Sequence, residues 1–335
     1  MNQNEIKFLI IRFSSIGDIV LTTPVVRCLK QQLDGAVIHY LTKPQYATIL
    51  ETNLYIDKVH TLKDFRSTIA ELKAENFDYL IDLHKNIRTY RFKDKLKILD
   101  FTFPKLNYKK FLLTNFKIDK LPDIHIVDRY FEAVKVFDIK NDNKGLDYFI
   151  ENHNVVNINE LNLNFSTNEF IAFAIGGQHN TKKMPNHKII EICNKIDVPV
   201  ILLGSKEDFD NANEICKHTQ NTHNFCGKLN LSQSASIIFQ SKAVITHDTG
   251  LMHIASAFKK NIISLWGNTV PKFGMYPYQA GELSQICEVK NLKCRPCSKI
   301  GYKKCPKKHF DCMEKQNVNE ITMSIVNCIN GVKVS

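Results

Sequence analysis

The sequence lacks several features that would assign it to a common class. No uninterrupted apolar run approaches the roughly 20 residues that a bilayer-spanning helix needs, and no repeat or low-complexity tract occurs among the 335 residues. No G-x-G-x-x-G follows the first apolar run and no G-x-x-x-x-G-K-[ST] is present, which argues against a nicotinamide dehydrogenase and a P-loop ATPase. The N-terminal stretch contains Glu5 and Lys7 and no small-residue cleavage site. We therefore expect a buried first strand in place of a signal peptide, and a cytoplasmic protein.

Positive charge is present in excess and is unevenly placed. The formal net charge is +11, with eleven Lys or Arg against three Asp between Lys85 and Lys120, and nine basic against three acidic residues between Cys287 and Lys315. Clustered positive charge indicates a polyanionic partner such as nucleic acid, anionic lipid or a phosphorylated glycan. Two solvated surfaces are the alternative explanation.

Strand-like and helix-like segments alternate along the chain, which predicts an α/β fold with parallel sheets. The predicted strands are 6–13, 36–42, 77–84, 170–177, 199–205, 243–248 and 261–267. The predicted helices are 22–33, 124–137, 187–196, 232–242, 249–258 and 317–330.

An Asn-rich stretch without regular periodicity, between these two series, predicts a domain boundary. We expect two doubly wound, Rossmann-like domains, 1–150 and 165–316, that face each other across a cleft. We expect the C-terminal segment 317–335 to be a helix that packs back toward the N-terminal domain. Ligands of such sheets bind outside the carboxyl ends of the strands.

Two loops at predicted strand ends are suited to binding an anion. In "THDTGLMHIASA" a strand ends at Asp248, and a helix begins near Gly250, where backbone N–H groups and the helix dipole favour a diphosphate. A plain strand-to-helix turn, with Asp248 or Thr249 as the N-cap, explains the same letters. In "GGQHNTKKMP" either Lys182 or Lys183 can reach a phosphate, or the loop is simply a solvated basic turn.

Two further acidic features need separate explanations. Asp208 and Asp210 match the D-x-D of metal-dependent sugar transferases, but they lie where a helix begins, and the helix dipole favours acids there without any metal. Asp18 stands beside Gly17 in a short break between two apolar runs. A carboxylate drawn out of water is costly, so Asp18 has either a partner or a task.

Half of the ten cysteines lie within residues 287–312. Cys294, Cys297, Cys305 and Cys312 resemble a structural zinc site in their number, and the C-x2-C half has suitable spacing. The wide C-x6-C half favours free or redox-labile thiols, so both interpretations stay open.

Taken in order, several segments resemble the ADP-heptose–lipopolysaccharide heptosyltransferases, a family of inverting glycosyltransferases with the GT-B fold. These segments are "IRFSSIGDIVLTTPVVRCLK", "KKMP", "PVILLGSKED", "NFCGKLNLSQSASIIFQSKAVITHDTGLMHIASAF", "LWGNTVPKFGMYPY" and the Cys-x2-Cys loop. The match extends over nearly the whole chain. Met184 stands where the family has Trp, so an aromatic wall of the donor site is missing.

The resemblance implies roles for individual residues. Asp18 corresponds to the general base, and we expect burial to raise its pKa toward a useful range. Lys182 corresponds to the lysine that touches the donor's phosphates. The donor-binding residues implied in addition are Gly177, Gln178, Leu229, Asp248, Thr249, Gly250, Leu251, Met252 and His253. Those implied for the acceptor are Ser14, Ser15, Lys85 and Arg88. No cofactor is required, because a lysine and a helix N-terminus can carry the charge of the leaving diphosphate.

The function implied is inverting transfer of a heptose, or a related sugar, from ADP-heptose or a similar nucleotide sugar to the inner core of lipopolysaccharide. The partners implied are that donor, an anionic lipid-linked glycan acceptor and the inner face of the membrane, to which the Lys85–Lys120 cations would draw the protein. One alternative keeps the fold with another sugar and another surface glycan. The other is a basic nucleic-acid-binding protein with a Cys-rich loop; we expect no nucleic acid, because that function leaves the strand-end loops unexplained.

Overall fold

The computed structural model describes residues 5–161, 163, 165 and 169–333. Residues 1–4, 162, 164, 166–168 and 334–335, on which parts of the predicted domains fall, lie outside the described residues. The chain divides into two compact units. The first contains the described residues up to Leu106 together with Ile124–Phe149, and the second contains Asn107–Asp123 and the described residues from Ile150 onward. No helix within the described ranges combines the length and the apolarity needed to cross a bilayer.

The first unit is built on a five-stranded parallel sheet. Its strands are β1 (Ile6–Ile11), β2 (Ala36–Thr42), β3 (Lys58–Thr61), β4 (Tyr79–Asp82) and β5 (Leu99–Thr102). Their order in the sheet is β3-β2-β1-β4-β5, with Ile6 paired to Ala36 and Phe8 paired to Tyr79. Residues Phe8 to Ile11 of the central strand are fully buried, as expected for a strand covered on both faces.

Helices cover both faces of this sheet. Those of the first unit are α1 (Ile16–Val20), α2 (Thr23–Gln32), α3 (Phe65–Ala74), α4 (Ile87–Leu96) and α6 (Ile126–Phe131), while α5 (Asn107–Phe111) belongs to the second unit. One apolar core cluster joins Leu9, Ile11 and Leu41 of the sheet to Leu72 of α3 and Phe92 of α4. The predicted helix 124–137 is shorter in the structure, because the chain turns after α6.

The second unit is built on a six-stranded parallel sheet. Its strands are β6 (Ile171–Ala174), β7 (Val200–Leu203), β8 (Thr222–Asn224), β9 (Ala243–His247), β10 (Ile262–Trp266) and β11 (Gln285–Glu288), in the order β11-β10-β9-β6-β7-β8. Its other helices are α7 (Asn186–Cys193), α8 (Phe209–Lys217), α9 (Leu231–Gln240), α10 (Gly250–Ala257), α11 (Asp311–Glu314) and α12 (Val318–Asn330).

Alternate residues of the second sheet enter two separate cores, as the pleat of a strand requires. Ile171 and Phe173 of β6 join the cluster on one face, and Ala172 of the same strand joins the cluster on the other face. In β10, Ile263 and Trp266 divide between the two cores in the same way.

The expected fold class of two parallel-sheet α/β units is confirmed, whereas the unit limits differ from the expected domains. Asn107–Asp123, expected in the N-terminal domain, clusters with the second unit. The C-terminal segment 317–335 was expected to be a helix that packs back toward the N-terminal domain, and the structure has helix α12 there. The side chains of Val318, Ile321 and Ile325 on α12 lie in a core of the second unit, because its apolar face is complementary to that core.

Candidate active site

Four of the predicted site residues lie where the strand order of a sheet reverses. This reversal falls between β1 and β4 in the first sheet and between β6 and β9 in the second. Asp18 follows β1, Gly177 and Lys182 follow β6, and Asp248 follows β9. In open α/β sheets the carboxyl ends of the strands at such a reversal form the ligand-binding crevice. The topology of each unit therefore places these residues at positions suited to a ligand.

Both carboxylate oxygens of Asp18 have partners. The backbone N of Ser15 and its Oγ donate to Oδ2 at 3.1 and 2.8 Å, so that Asp18 closes the first turn of α1. The guanidinium of Arg12 lies 2.5 Å from Oδ1. A second contact fixes the Arg12 side chain, since its Nε donates to the carbonyl of Ser14 at 2.8 Å. Ser14 and Ser15 therefore shape the loop that holds this ion pair.

The pKa of Asp18 moves opposite to the expectation from burial. Burial does raise it, but the attraction of Arg12 and the two hydrogen bonds from Ser15 outweigh burial and bring the pKa down to about 2. The predicted upward shift was therefore wrong in sign. Asp18 is ionised throughout the neutral range, as a proton acceptor must be, but it is a weak base.

Arg12 is a candidate functional residue that was not predicted from the sequence. Its guanidinium is buried and donates to the carbonyl of Leu83 at 2.6 Å and to the Tyr130 hydroxyl at 3.1 Å. An arginine directly after the apolar run of β1 was the available signal, since a buried cation needs an acidic partner. That partner is Asp18.

A second missed residue is His84, which follows β4. Its ring lies edge-on to Phe13 at 5.3 Å, and its Nδ1 is buried with no hydrogen-bond partner among the described residues. Burial, together with the positive charges of Arg12 and Lys105, lowers the pKa of His84 to about 3. His84 is therefore a neutral imidazole beside the Asp18–Arg12 pair.

Of the two basic residues predicted for the acceptor, one lies near this pair. Arg88 lies 5.8 Å above the Phe13 ring, and its charge contributes to the lowered pKa of His84. Lys85 instead donates to the carbonyl of Phe103 at 2.9 Å. Both residues are exposed.

In the second unit, Lys182 bridges the two loops at the strand-order reversal. Its Nζ lies 2.6 Å from the Asp248 carboxylate and 3.2 Å from the Asp248 carbonyl. The Thr269 hydroxyl donates to the same carboxylate oxygen at 2.8 Å. Beside them, a Cβ on Gly177 would be 3.5 Å from Thr249 Cγ2, so the glycine loop lies against the start of α10. A cation, a glycine loop and a helix N-terminus thus come together, as a diphosphate site requires.

Lys183 has a different role from Lys182. Its Nζ lies 2.7 Å from Oδ1 of buried Asp208, whose Oδ2 accepts from the backbone N and the hydroxyl of Ser205. Asp208 is thus fully engaged at the start of a helical segment, while Asp210 is exposed. This arrangement agrees with the helix-start explanation of the D-x-D and not with a metal site.

The sequence profile of glycosyltransferase family 9 (heptosyltransferase) matches residues 65–308 of this chain. The chain belongs to glycosyltransferase family 9. The resemblance drawn from the sequence is thereby confirmed. This family 9 protein aligns with the lipopolysaccharide heptosyltransferase 1 of Campylobacter coli at 23% identity. The alignment covers 78% of this chain and 84% of that protein.

Two further similarities bear on length and on fold. Lipopolysaccharide heptosyltransferase 2 of Salmonella typhimurium is 29% identical over 32% of this chain, a match that spans only 34% of that protein. The structure of the E. coli ADP-heptose lps heptosyltransferase II superposes with a TM-score of 0.74 at 18% identity, covering 97% of this chain and 99% of that one. That likeness confirms the GT-B fold.

Several predicted donor residues of the family 9 protein are buried or peripheral. Met252 is fully buried in an apolar core and His253 is nearly so, and therefore the Met252 side chain offers no surface to a ligand. Leu229 and Leu251 pack against that core from its margin. Gln178 is exposed.

Met184, which stands where the family has Trp, is also a core residue. It is 3% exposed and packs in the apolar cluster that includes α12. Its backbone N donates to Nε2 of buried His247 at 2.9 Å. Burial lowers the pKa of His247 to about 4, so the ring is neutral and can accept this bond. His247 thus fixes the loop that carries Lys182.

The four clustered cysteines do not converge on a closed site. Among the described residues, no three of their sulfurs lie within 4.8 Å of one another. Cys294 Sγ lies 3.9 Å from His309 Nε2, and burial raises the pKa of Cys312 to about 12. A structural zinc held by Cys294, Cys297, Cys305 and Cys312 stays a prediction.

Proposed function

We propose that this family 9 glycosyltransferase transfers a heptose from ADP-heptose to a hydroxyl group of a lipopolysaccharide inner-core acceptor, with inversion at the anomeric carbon. The observation that carries the proposal is Lys182, held against Asp248 at the start of α10. The relatives named as lipopolysaccharide heptosyltransferases support the choice of sugar and acceptor.

In the proposed step the acceptor oxygen bonds to the anomeric carbon while the bond from that carbon to the diphosphate oxygen breaks. ADP leaves with the bonding electron pair, and its developing charge is stabilised by Lys182 and the N-terminus of α10, with no metal in the step. The hydroxyl proton passes to Asp18. Because the pKa of Asp18 is about 2, this transfer takes place late, when bond formation has made the hydroxyl strongly acidic.

We place the proposed acceptor site around the Asp18 carboxylate. Ser15 is exposed, and its hydroxyl donates to the Asp18 carboxylate. The guanidinium of Arg88 lies over the nearby Phe13 ring and supplies a positive charge there. Arg88 suits the phosphorylated core that the proposal requires. Lys85 contributes charge to the surrounding surface.

The direct experiment replaces Asp18 by Asn and measures ADP release from ADP-heptose with a heptose-deficient core acceptor. Turnover should fall about 10²- to 10⁴-fold, the usual contribution of a positioned base, with nearly unchanged ADP affinity. Asp210→Asn, at an exposed acid of the second unit, is the matched control and should keep full activity. Normal turnover by Asp18→Asn would show that the base is another residue.

We also propose that the enzyme is cytoplasmic and associates with the anionic inner face of the membrane. Exposed apolar side chains stand among the cations of residues 85–120, including Ile87, Tyr90, Tyr108 and Phe116, which are 61–83% exposed. Each Lys or Arg near an anionic surface contributes about 1 kcal/mol. Side chains that combine charge and apolar area suit a lipid surface.

Co-sedimentation with vesicles measures this association. Binding to vesicles containing phosphatidylglycerol should exceed binding to pure phosphatidylcholine, and the variant K97Q/K120Q, at two exposed positions, should bind about tenfold or more weakly. K217Q, at an exposed lysine of α8, is the control. Equal binding to both vesicle types would contradict the membrane proposal and leave the transferase proposal intact.

A further inference from the structure

A group of polar side chains lies buried on strands β2 and β3 of the first sheet. His39 on β2 and His60 on β3 point to the same face, because Leu41 of β2, two residues after His39, is the register partner of His60. His39 Nδ1 lies 3.0 Å from His60 Nε2. The two residues are 6% and 1% exposed.

Helix α3 and the residue that follows it bring two carboxylates over these rings. Glu71 and Glu75 are four residues apart and therefore share one face. Glu75 Oε2 lies 3.8 Å from His39 Nδ1, and Glu75 Oε1 lies 3.9 Å from His60 Nε2. Glu71 Oε1 lies 2.7 Å from His60 Nδ1.

These contacts define which ring nitrogens are available. A hydrogen bond to the Glu71 carboxylate requires the proton of neutral His60 to be on Nδ1, which leaves the Nε2 lone pair directed at His39 and Glu75. A histidine that donates to a carboxylate through one nitrogen and binds a metal through the other is a recurrent arrangement. We propose that His39 Nδ1, His60 Nε2 and the Glu75 carboxylate bind a zinc ion, with Glu71 as the residue that orients His60.

The spacing suits this ion. Zinc binds imidazole nitrogen at about 2.0–2.1 Å, so a tetrahedral site places neighbouring ligand atoms about 3.4 Å apart. The two ring nitrogens are 3.0 Å apart, and the Glu75 carboxylate approaches them through different oxygens, Oε2 at 3.8 Å from His39 and Oε1 at 3.9 Å from His60. One Glu75 oxygen already lies within 4.8 Å of a nitrogen of each ring. A rotation of the carboxylate that brings this oxygen toward both rings would complete three protein ligands, with the fourth position left for water. Two imidazoles and one carboxylate favour zinc over the harder magnesium and calcium ions.

One cation competes for the same carboxylate. Lys58 Nζ lies 2.5 Å from Glu75 Oε1, yet its side chain is half exposed and can turn into solvent when the ion enters. Lys63 Nζ lies 3.2 Å from Glu71 Oε2 and neutralises the Glu71 carboxylate. The alternative is a metal-free network in which one proton is shared between the two rings. Removal of Lys58 distinguishes the two possibilities, because it should strengthen metal binding only if Glu75 is a ligand.

The test titrates the full-length, chelator-stripped protein with Co²⁺, a spectroscopic substitute for zinc. Binding at His39, His60 and Glu75 should give visible absorption without the thiolate-to-cobalt charge transfer that any cysteine site produces. His39→Gln should abolish this signal, and Glu71→Gln should weaken the affinity by about 10- to 100-fold. Competition with Zn²⁺ then gives the zinc affinity.

Lys58→Met supplies a gain-of-affinity variant that misfolding cannot imitate. Freed from its ammonium partner, Glu75 should bind the ion about two- to fivefold more tightly, the usual strength of such an exposed pair. Lys217→Met, at an exposed lysine near Glu214, is the matched control and should bind as the unmodified protein does. Charge-transfer absorption alone, or no change of affinity in both His39→Gln and Lys58→Met, would overturn the site. These outcomes are independent of the proposed transfer reaction.

Discussion

Replacing Arg12 by Gln tests whether this guanidinium controls the ionisation of Asp18. In the unmodified protein the pKa of Asp18 is lowered from 3.8 to about 2, a net difference worth about 2.5 kcal/mol in favour of the ionised form. Because the folded-state pKa lies below the unfolded-state value, this stabilisation is present above about pH 4 and is lost as the pH falls toward about 2. Without Arg12, burial is opposed mainly by the two hydrogen bonds from Ser15, and the pKa of Asp18 rises.

A double-mutant cycle measures this effect apart from other losses. Arg12 also donates to the Leu83 carbonyl and the Tyr130 hydroxyl, so Arg12→Gln by itself destabilises for several reasons. Urea unfolding at pH 7 of the unmodified protein, Arg12→Gln, Asp18→Asn and the double variant isolates the coupling between the two residues. We expect about 2 kcal/mol or more.

The pH dependence of kcat/KM gives a second readout. The unmodified enzyme should show no loss of activity that reflects Asp18 protonation above about pH 4. Arg12→Gln should acquire an acidic limb at higher pH, because its Asp18 protonates more easily. A coupling below about 0.5 kcal/mol, which is within the additivity of independent sites, together with an unchanged pH profile, would refute the reasoning.

Three further outcomes follow from the second unit. Lys182→Gln should lower kcat about 10²- to 10³-fold, measured by ADP release, since it removes the charge stabilisation that we propose for the leaving diphosphate. Lys183→Met should lower the unfolding free energy by about 3–5 kcal/mol in urea, since Asp208, only 3% exposed at its side chain, would lose its partner. Gly176→Ala should lower the melting temperature more than Gly177→Ala, because its Cβ would lie 2.7 Å from an Asp208 oxygen, whereas that of Gly177 meets nothing closer than 3.5 Å.

The inner strands could be predicted from the sequence, and the outer strands could not. β2 was predicted over the residues that form it, and β9 within one residue, because apolar and β-branched residues dominate both segments. The edge strands β3, β5, β8 and β11 were missed. They have three or four residues, some of them exposed, so that neither an apolar run nor a clear alternation marks them. Each of these segments forms a strand because its main chain pairs with the neighbouring strand of the sheet.

The position of Asp18 could be predicted, and its chemistry could not. Its place after the first strand and beside Gly17 was sufficient to select it. The sign of its pKa shift depends on a contact with Arg12, six residues earlier, that only the folded loop creates. His84 was missed for a similar reason, since an isolated histidine after a strand acquires its neutral state from burial and from the cations packed around it.

Each unit holds a carboxylate and a cation together at its strand-order reversal, and the two pairs should respond differently to substrate. A diphosphate competes with Asp248 for Lys182, because both anions seek the same ammonium group, and Thr269 remains as a hydrogen-bond donor to Asp248 when the lysine turns away. A neutral acceptor hydroxyl does not compete for Arg12. In the proposed reaction the Asp18–Arg12 pair should therefore persist until the proton reaches Asp18, and Arg12 should then resist protonation of the carboxylate it contacts. This resistance favours release of the proton to solvent after each turnover, which a base of higher pKa would retain longer.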